Sequence, residues 1–342
     1  MIVDTYDIKS NIALLRKVSI FGLLMSAAFA SPVLANDTTA VIAAGGLQFT
    51  KTDELQMESE DLFLSREGIR VKYRFRNLTD HDVNVTVAFP MPKLDIRGLY
   101  VGNHDFHPSG REGDIFDFHA RVNGKDIQAT LDAHAFDTNG VEVTDKLHRL
   151  GMPITDLDKD HDLFDISNKL YNESDKRLWS EELFLGDYPN WDVVASYYWQ
   201  QNFPAHTTTT VEHFYKPSVG REYFDWTDDM KNHFIQSDRA KSTWCPDEDL
   251  ISAVKKISRE LGHEEGAARE LQYILKTGAN WAGPIGHFRL QIDKGKASLI
   301  STCPIPGLTL KKQGNSFVAE ADNFTPTTDL DILLLYRNST GE

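Results

Sequence analysis

GIRVKYRFRN, residues 68–77, alternates apolar and basic side chains. The apolar set is Ile69, Val71, Tyr73 and Phe75. The basic set is Arg70, Lys72, Arg74 and Arg76. A period of two residues is that of a β-strand with one face buried and the other in solvent. The stretch therefore predicts a half-buried strand and sets the expectation of a β-rich fold.

The basic face of this strand has two interpretations. One is an anion-binding patch. The other is pairing with the preceding stretch, ELQMESEDLFLS (residues 54–65), in which Glu54, Glu58 and Glu60 alternate with the apolar positions. Opposite charges across a ladder stabilise a sheet, so we favour pairing.

Further strands are indicated on both sides of a helical segment. VNVTVAFPMP (residues 83–92) stops at two prolines, which cannot extend a ladder. WDVVASYYWQQNFPAHTTTTVEHFYKP (residues 191–217) is rich in aromatic and β-branched residues, which favour strands. Between residues 143 and 185 apolar residues recur at helical spacing instead. These patterns predict an antiparallel β-sandwich over residues 36–235 with a helical insertion at about 143–185.

The last third of the chain begins with a predicted helix and returns to strands. Asp247 is in a capping position, and Gly262 closes the helix. The apolar side of the helix consists of Leu250, Ile251, Val254, Ile257 and Leu261. The fold class predicted is mainly β, α+β, with this C-terminal helix packed on further antiparallel strands. Residues 236–342 are expected to pack with the first domain as one unit.

Residues 1–35 have the pattern of an export leader. The apolar core Val18–Ala30 has the length of a signal peptide, and it is short for a membrane span, which needs about 20 apolar residues. Cleavage is predicted between Ala35 and Asn36, with an uncleaved anchor as the alternative. The leader predicts the periplasm, or secretion beyond it. No integral membrane span is expected in the mature chain.

The charge of the chain excludes one class of partner. The 342 residues carry a formal net charge of −15. Removing the leader takes away three bases and two acids, which leaves 33 bases against 49 acids and a net charge of −16. Such a charge repels nucleic acid, so no nucleic-acid partner is expected.

The chain has two cysteines, Cys245 and Cys303, and each precedes a proline. An even count in an exported protein predicts a structural disulfide. A reactive thiol is the alternative, but neither CxxC spacing nor a companion histidine motif supports a metal or redox site.

One acidic stretch, ITDLDKDHDLFD, is a candidate calcium site. Its carboxylates recur at every second position: Asp156, Asp158, Asp160 and Asp162. Oxygen ligands at that spacing can wrap a calcium ion. An EF-hand would have glycine at His161 and glutamate at Ser167, so the alternative is a solvated acidic loop. No other cofactor is expected.

Two further sets of side chains are candidate binding residues. His104 and His107 lie in a glycine-rich stretch, with His119 following, and they are either transition-metal ligands or surface loop residues. Trp191, Tyr197, Tyr198 and Trp199 belong to an aromatic-rich segment. Exposed rings would form a platform for sugars or a peptide, whereas buried rings would be core, which the alternation favours.

Several collinear segments resemble a bacterial family known as domain of unknown function 4424. They include NDTTAVIAAGGLQFTKTDELQMESEDLFLS, VKYRFRN, VAFPMP, LHRLGMPI, VEHFYKPSVG and YILKTGANWAGPIGHFRLQIDKG. The resemblance covers nearly all of the mature chain. It implies an exported bacterial protein without an assigned activity, so no catalytic residue is carried over.

The sequence favours a non-catalytic function. We expect a periplasmic binding protein or an envelope-associated interaction protein, whose partner is an unidentified envelope protein or glycan. The alternative is a hydrolase acting on envelope glycan or peptide. A deep pocket with convergent acids of raised pKa would favour the hydrolase, and a shallow face with aromatic side chains would favour binding.

Overall fold

The structure is a computed structural model that describes residues 37–43, 46–100, 104–105, 116–152, 154, 183–185, 188–227 and 234–340. All the described residues belong to one compact unit. The predicted leader and its cleavage site, Ala35 and Asn36, lie outside the described residues. So do Asp156, Asp158, Asp160 and Asp162 of the predicted calcium loop.

The described chain is built mainly of strands. In chain order they are β1 (Thr38–Ala43), β2 (Gly46–Thr50), β3 (Leu55–Leu64), β4 (Ile69–Asn77), β5 (Val83–Pro90), β6 (Leu94–Asp95), β7 (His104–Asp105), β8 (His119–Val122), β9 (Lys125–Ile127), β10 (Thr130–Asp137), β11 (Phe184–Leu185), β12 (Tyr188–Pro189), β13 (Trp191–Phe203), β14 (Thr208–Tyr215), β15 (Val219–Asp225), β16 (Glu265–Tyr273), β17 (Ile285–Asp293), β18 (Leu299–Thr302), β19 (Lys311–Gln313), β20 (Ser316–Phe324) and β21 (Leu330–Tyr336). The α-helices are α1 (Ile96–Tyr100), α2 (Thr144–Arg149), α3 (Asp238–Thr243) and α4 (Glu248–Leu261).

Among the described strands, three larger sheets enclose the core, and β11 pairs with β12 in a separate two-stranded sheet. The six-stranded sheet has the order β10-β13-β5-β1-β2, with β6 beside β13. The eight-stranded sheet has the order β19-β20-β17-β3-β4-β14-β8-β9, and the five-stranded sheet has the order β18-β21-β16-β15-β7. The last two sheets both contain strands from each side of residue 235. The predicted class, an antiparallel, mainly β fold with helices, is confirmed.

The stretch GIRVKYRFRN contains β4, which lies in the middle of the eight-stranded sheet. Its apolar residues Ile69, Val71, Tyr73 and Phe75 are buried, and the basic residues between them face outward. Each buried side chain of this size stabilises the fold by about 1.5–3 kcal/mol. Trp199 of β13 packs against His213 of β14 with the ring centroids 5.4 Å apart, so the six-stranded sheet covers this inner face.

The predicted C-terminal helix is α4. Its N-cap Asp247 accepts a hydrogen bond from the Leu250 N–H at 2.7 Å. Its buried side chains Leu250, Val254 and Ile257 pack in a second hydrophobic cluster with Leu333 and other residues of the five-stranded sheet. The predicted disulfide between Cys245 and Cys303 is confirmed, and it ties the start of α4 to the end of β18.

Two features differ from the sequence expectations. A β-bulge between Met57 and Ser59 shifts the alternation of β3, so Glu60, expected in the outward acidic row, is buried. The second feature is that β3 pairs in parallel with β17, the only parallel pair among the described strands. A pairing between segments so far apart leaves no local sequence pattern. In the described part of the chain, no helix has the length and apolar character needed to cross a membrane.

Candidate functional site: a groove across the eight-stranded sheet

The outer face of the eight-stranded sheet contains an open groove with a volume of about 620 Å³. Strands β17, β3, β4, β14, β8 and β9 contribute neighbouring residues to it. Because alternate residues of a strand face the same side, each strand offers its outward side chains to the groove. These side chains form two parallel rows that cross the strands.

The first row, here called the planar row, consists of flat side chains in register on five neighbouring strands. Its members are, in order across the sheet, Gln291, Phe63, Arg70, Phe214 and His119. An amide, a phenyl ring, a guanidinium, a second phenyl ring and an imidazole therefore follow one another from β17 to β8. Arg70 occupies the middle position, between the two phenyl rings.

Arg70 is an exposed cation placed against an aromatic ring. Its guanidinium carbon lies 4.6 Å from the centroid of Phe63, within the range of a cation–π contact. Its ladder neighbours are Phe63 and Phe214, and among the described residues no carboxylate forms an ion pair with it. The hydrogen-bond donors of its guanidinium are therefore available to an anionic ligand.

Gly68, just before β4, makes room for one of the flanking rings. A Cβ atom at this position would lie 2.8 Å from the Cε2 atom of Phe214. The Ser65 side chain closes the turn, accepting a hydrogen bond from the Gly68 N–H at 3.1 Å. The position of the Phe214 ring therefore depends on the absence of a side chain at residue 68.

The second row, here called the charged row, alternates bases and acids. Its members are, in register from β17 to β9, Arg289, Asp61, Lys72, Glu212, Arg121 and Asp126. They form three ion pairs: Arg289 with Asp61 at 3.0 Å, Lys72 with Glu212 at 2.7 Å, and Arg121 with Asp126 at 2.6 Å. Each acid of this row has a base partner, so Arg70 in the neighbouring row is the base in excess.

The predicted pairing of the β4 bases with the preceding strand holds only in part. Arg74 pairs with Glu58 of β3 at 3.4 Å. Lys72 instead pairs with Glu212 of β14, on its other side. Arg70 has a phenylalanine on each side and forms no ion pair with a described residue, so pairing does not account for this base.

Beneath the groove, the inner face of β14 holds a buried polar pair. The His213 Nε2 and Asp37 Oδ1 atoms lie 2.9 Å apart, and both side chains are fully buried. Burial raises the pKa of Asp37, although the charge of His213 and its hydrogen bond lower it. Rings of Tyr73, Phe89, Phe118 and Trp199 surround the imidazole. The pair fastens the residue before β1 to the sheet that carries the groove.

The acids that would suit a hydrolase lie on a different sheet. Burial raises the pKa of Glu222, Glu270 and Asp331, all on the five-stranded sheet. Arg239 counteracts this for Glu270, with its Nη2 atom 2.6 Å from the carboxylate. None of these three acids is among the described residues that line the groove.

The candidate aromatic platform is corrected by the structure. Trp191, Tyr197 and Trp199 are buried, and Tyr198 is half-buried. Since the inward side of β13 packs against the eight-stranded sheet, these three rings are core, the alternative that their alternation favoured. They do not form an exposed surface.

The histidines considered as metal ligands fall in different places. His119 lies at one end of the planar row, and its Nε2 atom is 3.3 Å from the Asp117 carboxylate. His104 is in β7, and His107 lies outside the described residues. Within the described part of the chain, no group of three or more histidine, cysteine or acidic side chains is arranged to hold a metal ion.

The sequence alone identified the basic face of β4 but not the groove. Phe63 reaches the outer face only because of the bulge in β3, and Arg289 reaches the charged row only through the parallel β3–β17 pairing. The alternation of Glu212 and Phe214 around His213 is a local signal that could have placed these two residues on the outer face of β14.

Comparison with known proteins identifies the family of the chain. The chain matches the family described as "Domain of unknown function (DUF4424)" over residues 35–333, and it therefore belongs to that family. It is also similar to a crystal structure described as a "putative nutrient binding protein" from Legionella pneumophila subsp. pneumophila str. Philadelphia 1. That match has a TM-score of 0.43 and 18% sequence identity, and covers 89% of this chain and 70% of the other. Comparison with curated proteins finds no match.

Proposed function

We propose that this protein is a non-catalytic binding protein of the bacterial cell envelope, and that the groove captures an acidic ligand. The carboxylate of the ligand accepts hydrogen bonds from the Arg70 guanidinium. The flat or apolar parts of the ligand rest on Phe63 and Phe214.

The observation that carries this proposal is the position of Arg70. It is an exposed base between two aromatic rings, in a row that contains no acid. The net charge of the chain is −15 and disfavours anions at long range. Charges in solvent are screened beyond about 10 Å at 0.1 M salt. For an anionic ligand in the groove, the attraction of nearby Arg70 therefore outweighs the repulsion from distant acids.

The groove is better suited to binding than to hydrolysis. Its described carboxylates, Asp61, Glu212 and Asp126, are each held in an ion pair with a neighbouring base. General acid catalysis requires a carboxyl group that stays protonated near neutral pH. Of the acids with a raised pKa, Glu222, Glu270 and Asp331 lie on the five-stranded sheet, and Asp37 is fully buried beneath the groove against His213. None of the four is among the described residues that line the groove.

Export to the periplasm is part of the proposal. It is supported by the leader pattern of residues 1–35 and by the Cys245–Cys303 disulfide, since disulfides persist in oxidising compartments. The family match begins at residue 35, where cleavage is predicted. Immunoblotting of cell fractions for a shortened chain in the periplasm is the direct check, and a full-length cytosolic chain would contradict it.

Titration calorimetry of two variants tests the binding proposal. The ligands are carboxylate-bearing sugars, their oligomers and short acidic peptides. Arg70→Gln removes the base between the rings. Arg74→Gln is the matched control, because Arg74 lies on the same face of β4 and pairs with Glu58. A hydrogen bond to a charged group is worth about 1.5–3 kcal/mol, so Arg70→Gln should weaken binding at least about tenfold.

Four outcomes are informative. Equal binding by wild type and Arg74→Gln, with weak binding by Arg70→Gln, supports the proposal. Failure of every acidic ligand to bind, or equal binding by Arg70→Gln, overturns it. Cleavage of a glycan or peptide in the same samples, detected by mass spectrometry and lost in Glu270→Gln, would establish the hydrolase instead.

A further inference from the structure

The groove is long and narrow, and it runs across the strands rather than along them. It crosses six strands and therefore five gaps between strands. Neighbouring strands lie about 4.8 Å apart, so the groove is about 24 Å long. Its width is that of two outward side chains on one strand, which are about 6.8 Å apart. A linear ligand lying in it would meet a new strand about every 4.8 Å.

This spacing distinguishes between two classes of linear ligand. An extended peptide places side chains on the same side about every 6.8 Å, which does not match a row of contacts about 4.8 Å apart. One pyranose unit in an extended glycan advances by about one strand spacing. The planar row therefore matches a glycan with one sugar on each strand.

The order of side chains in the planar row adds a charge pattern. The cation, Arg70, is at the centre, with Phe63 and Phe214 on either side. An acid-bearing sugar fits the central position, and its two neighbours lie on phenyl rings, which favour the apolar faces of uncharged sugars. Gln291 and His119 at the two ends offer hydrogen bonds to hydroxyl groups.

The charged row complements a polyhydroxylated ligand. Within it, donors and acceptors alternate along the groove, from Arg289 and Asp61 to Arg121 and Asp126. A sugar hydroxyl both donates and accepts a hydrogen bond, so it fits between an acid and a base without requiring a net charge. The two rows thus offer ring contacts on one side of the groove and hydroxyl contacts on the other.

We infer that the ligand is a linear glycan in which acid-bearing sugars alternate with uncharged sugars, and that it lies across the strands with the acidic sugar on Arg70. This inference rests on the proposed function and adds the class of ligand, its direction and the number of subsites. Three sugars centred on Arg70 make the ring and charge contacts, and five span the whole planar row.

Oligosaccharides of defined length test the inference by calorimetry. The alternating series are hyaluronan fragments and peptide-free peptidoglycan strands of two to eight sugars. The comparison series are oligogalacturonates, with an acid on every sugar, chitooligosaccharides, with none, and a glutamate-containing hexapeptide. For at least one alternating series, affinity should rise at least tenfold between two and five sugars and then level off. The comparison ligands should bind at least tenfold more weakly than the five-sugar alternating fragment.

Variants of the planar row separate the subsites. Phe63→Ala should reduce the gain in affinity with length by at least threefold while leaving the affinity for the two-sugar fragment within twofold. Arg70→Gln should weaken all lengths alike. Arg74→Gln again serves as the control with wild-type affinity at every length.

The results that would overturn the glycan inference differ from those that would overturn the proposed function. Binding of a single acidic sugar with no gain from added sugars overturns the glycan inference but leaves an acid-binding groove. Tighter binding of the hexapeptide, or of the chitooligosaccharides, replaces the alternating glycan with that occupant. Failure of all acidic ligands overturns the proposed function itself.

Discussion

The eight-stranded and the five-stranded sheet differ in what lies on their outer faces, the sides turned away from the shared core. The outer face of the five-stranded sheet is covered by α4, with Val254 and Trp244 packed on Leu333 and Leu335 in a second core. The outer face of the eight-stranded sheet is open, and it presents the planar and charged rows.

This contrast shows how the same secondary structure serves two purposes. Where a helix covers a sheet, outward positions become apolar and contribute to stability through burial. Where the face is left open, the outward positions can hold ordered polar and aromatic side chains without loss of core. The inner face of the eight-stranded sheet is mainly apolar, so the groove on its outer face is formed at little cost to the fold.

The largest effect on stability is expected from removing the Cys245–Cys303 disulfide, which holds the start of α4 against the five-stranded sheet. The disulfide closes a loop with a sequence separation of 58 residues. On the chain-entropy estimate, replacing both cysteines with alanine should lower the free energy of unfolding by roughly 4 kcal/mol. Urea denaturation measures this, and the reduced wild-type protein is the matched control. Ligand affinity of the folded variant should stay within twofold, and a larger loss would show that the two faces are not independent.

Removing the buried acid under the open face should give the next largest effect. Asp37→Ala leaves His213 buried without its hydrogen-bond partner, and a buried polar group left unpaired in this way costs about 1–3 kcal/mol. Asp53→Ala, the same change at an exposed position, should alter the unfolding free energy by at most about 0.5 kcal/mol. Equal stability of the two variants in urea would show that the pair does not hold β1 in place.

The pH dependence of stability provides a finer test of the same pair. Burial raises the pKa of Asp37 in the folded state above its ordinary value of 3.8, despite the opposing effect of His213. The stability from this group is therefore fully present below pH 3.8 and is lost as the pH rises through the raised pKa. Asp37→Asn cannot titrate at this position. The wild-type unfolding free energy minus that of Asp37→Asn should fall from pH 3.5 to pH 7, and a rise would show that the attraction to His213 dominates.

The smallest effect is expected from adding one methyl group at Gly68, beside the groove. Gly68→Ala forces the Phe214 ring to move away from a Cβ atom that would lie 2.8 Å from it. Aromatic contacts that depend on ring geometry are worth about 0.5–1.5 kcal/mol, so the affinity for the acidic ligand should fall about two- to tenfold. In a protein that already carries Phe214→Ala, adding Gly68→Ala should not lower the affinity for the acidic ligand any further. A loss of equal size in both backgrounds would place the cause elsewhere.

Local sequence patterns predicted where strands and helices form, but they did not predict which segments pack together. The alternation in GIRVKYRFRN predicted both faces of β4, and the caps and apolar spacing around Val254 predicted α4. The same reasoning misplaced Glu60, because one bulge reverses the alternation that follows it. The exposed platform considered for Trp191 was wrong for a different reason, since β13 has its inward side against another sheet.

The amino-acid sequence alone was enough to predict that this chain is β-rich, that Arg70 points away from the core, and that Cys245 and Cys303 pair. Periodicity and the cysteine count carry this information because each depends on the chain alone. The three-dimensional fold was needed to show that Phe63, Arg70 and Phe214 lie side by side and that β17 joins β3 in parallel. Strand partners and register are set by packing of the whole core, so the groove exists only once distant segments have come together.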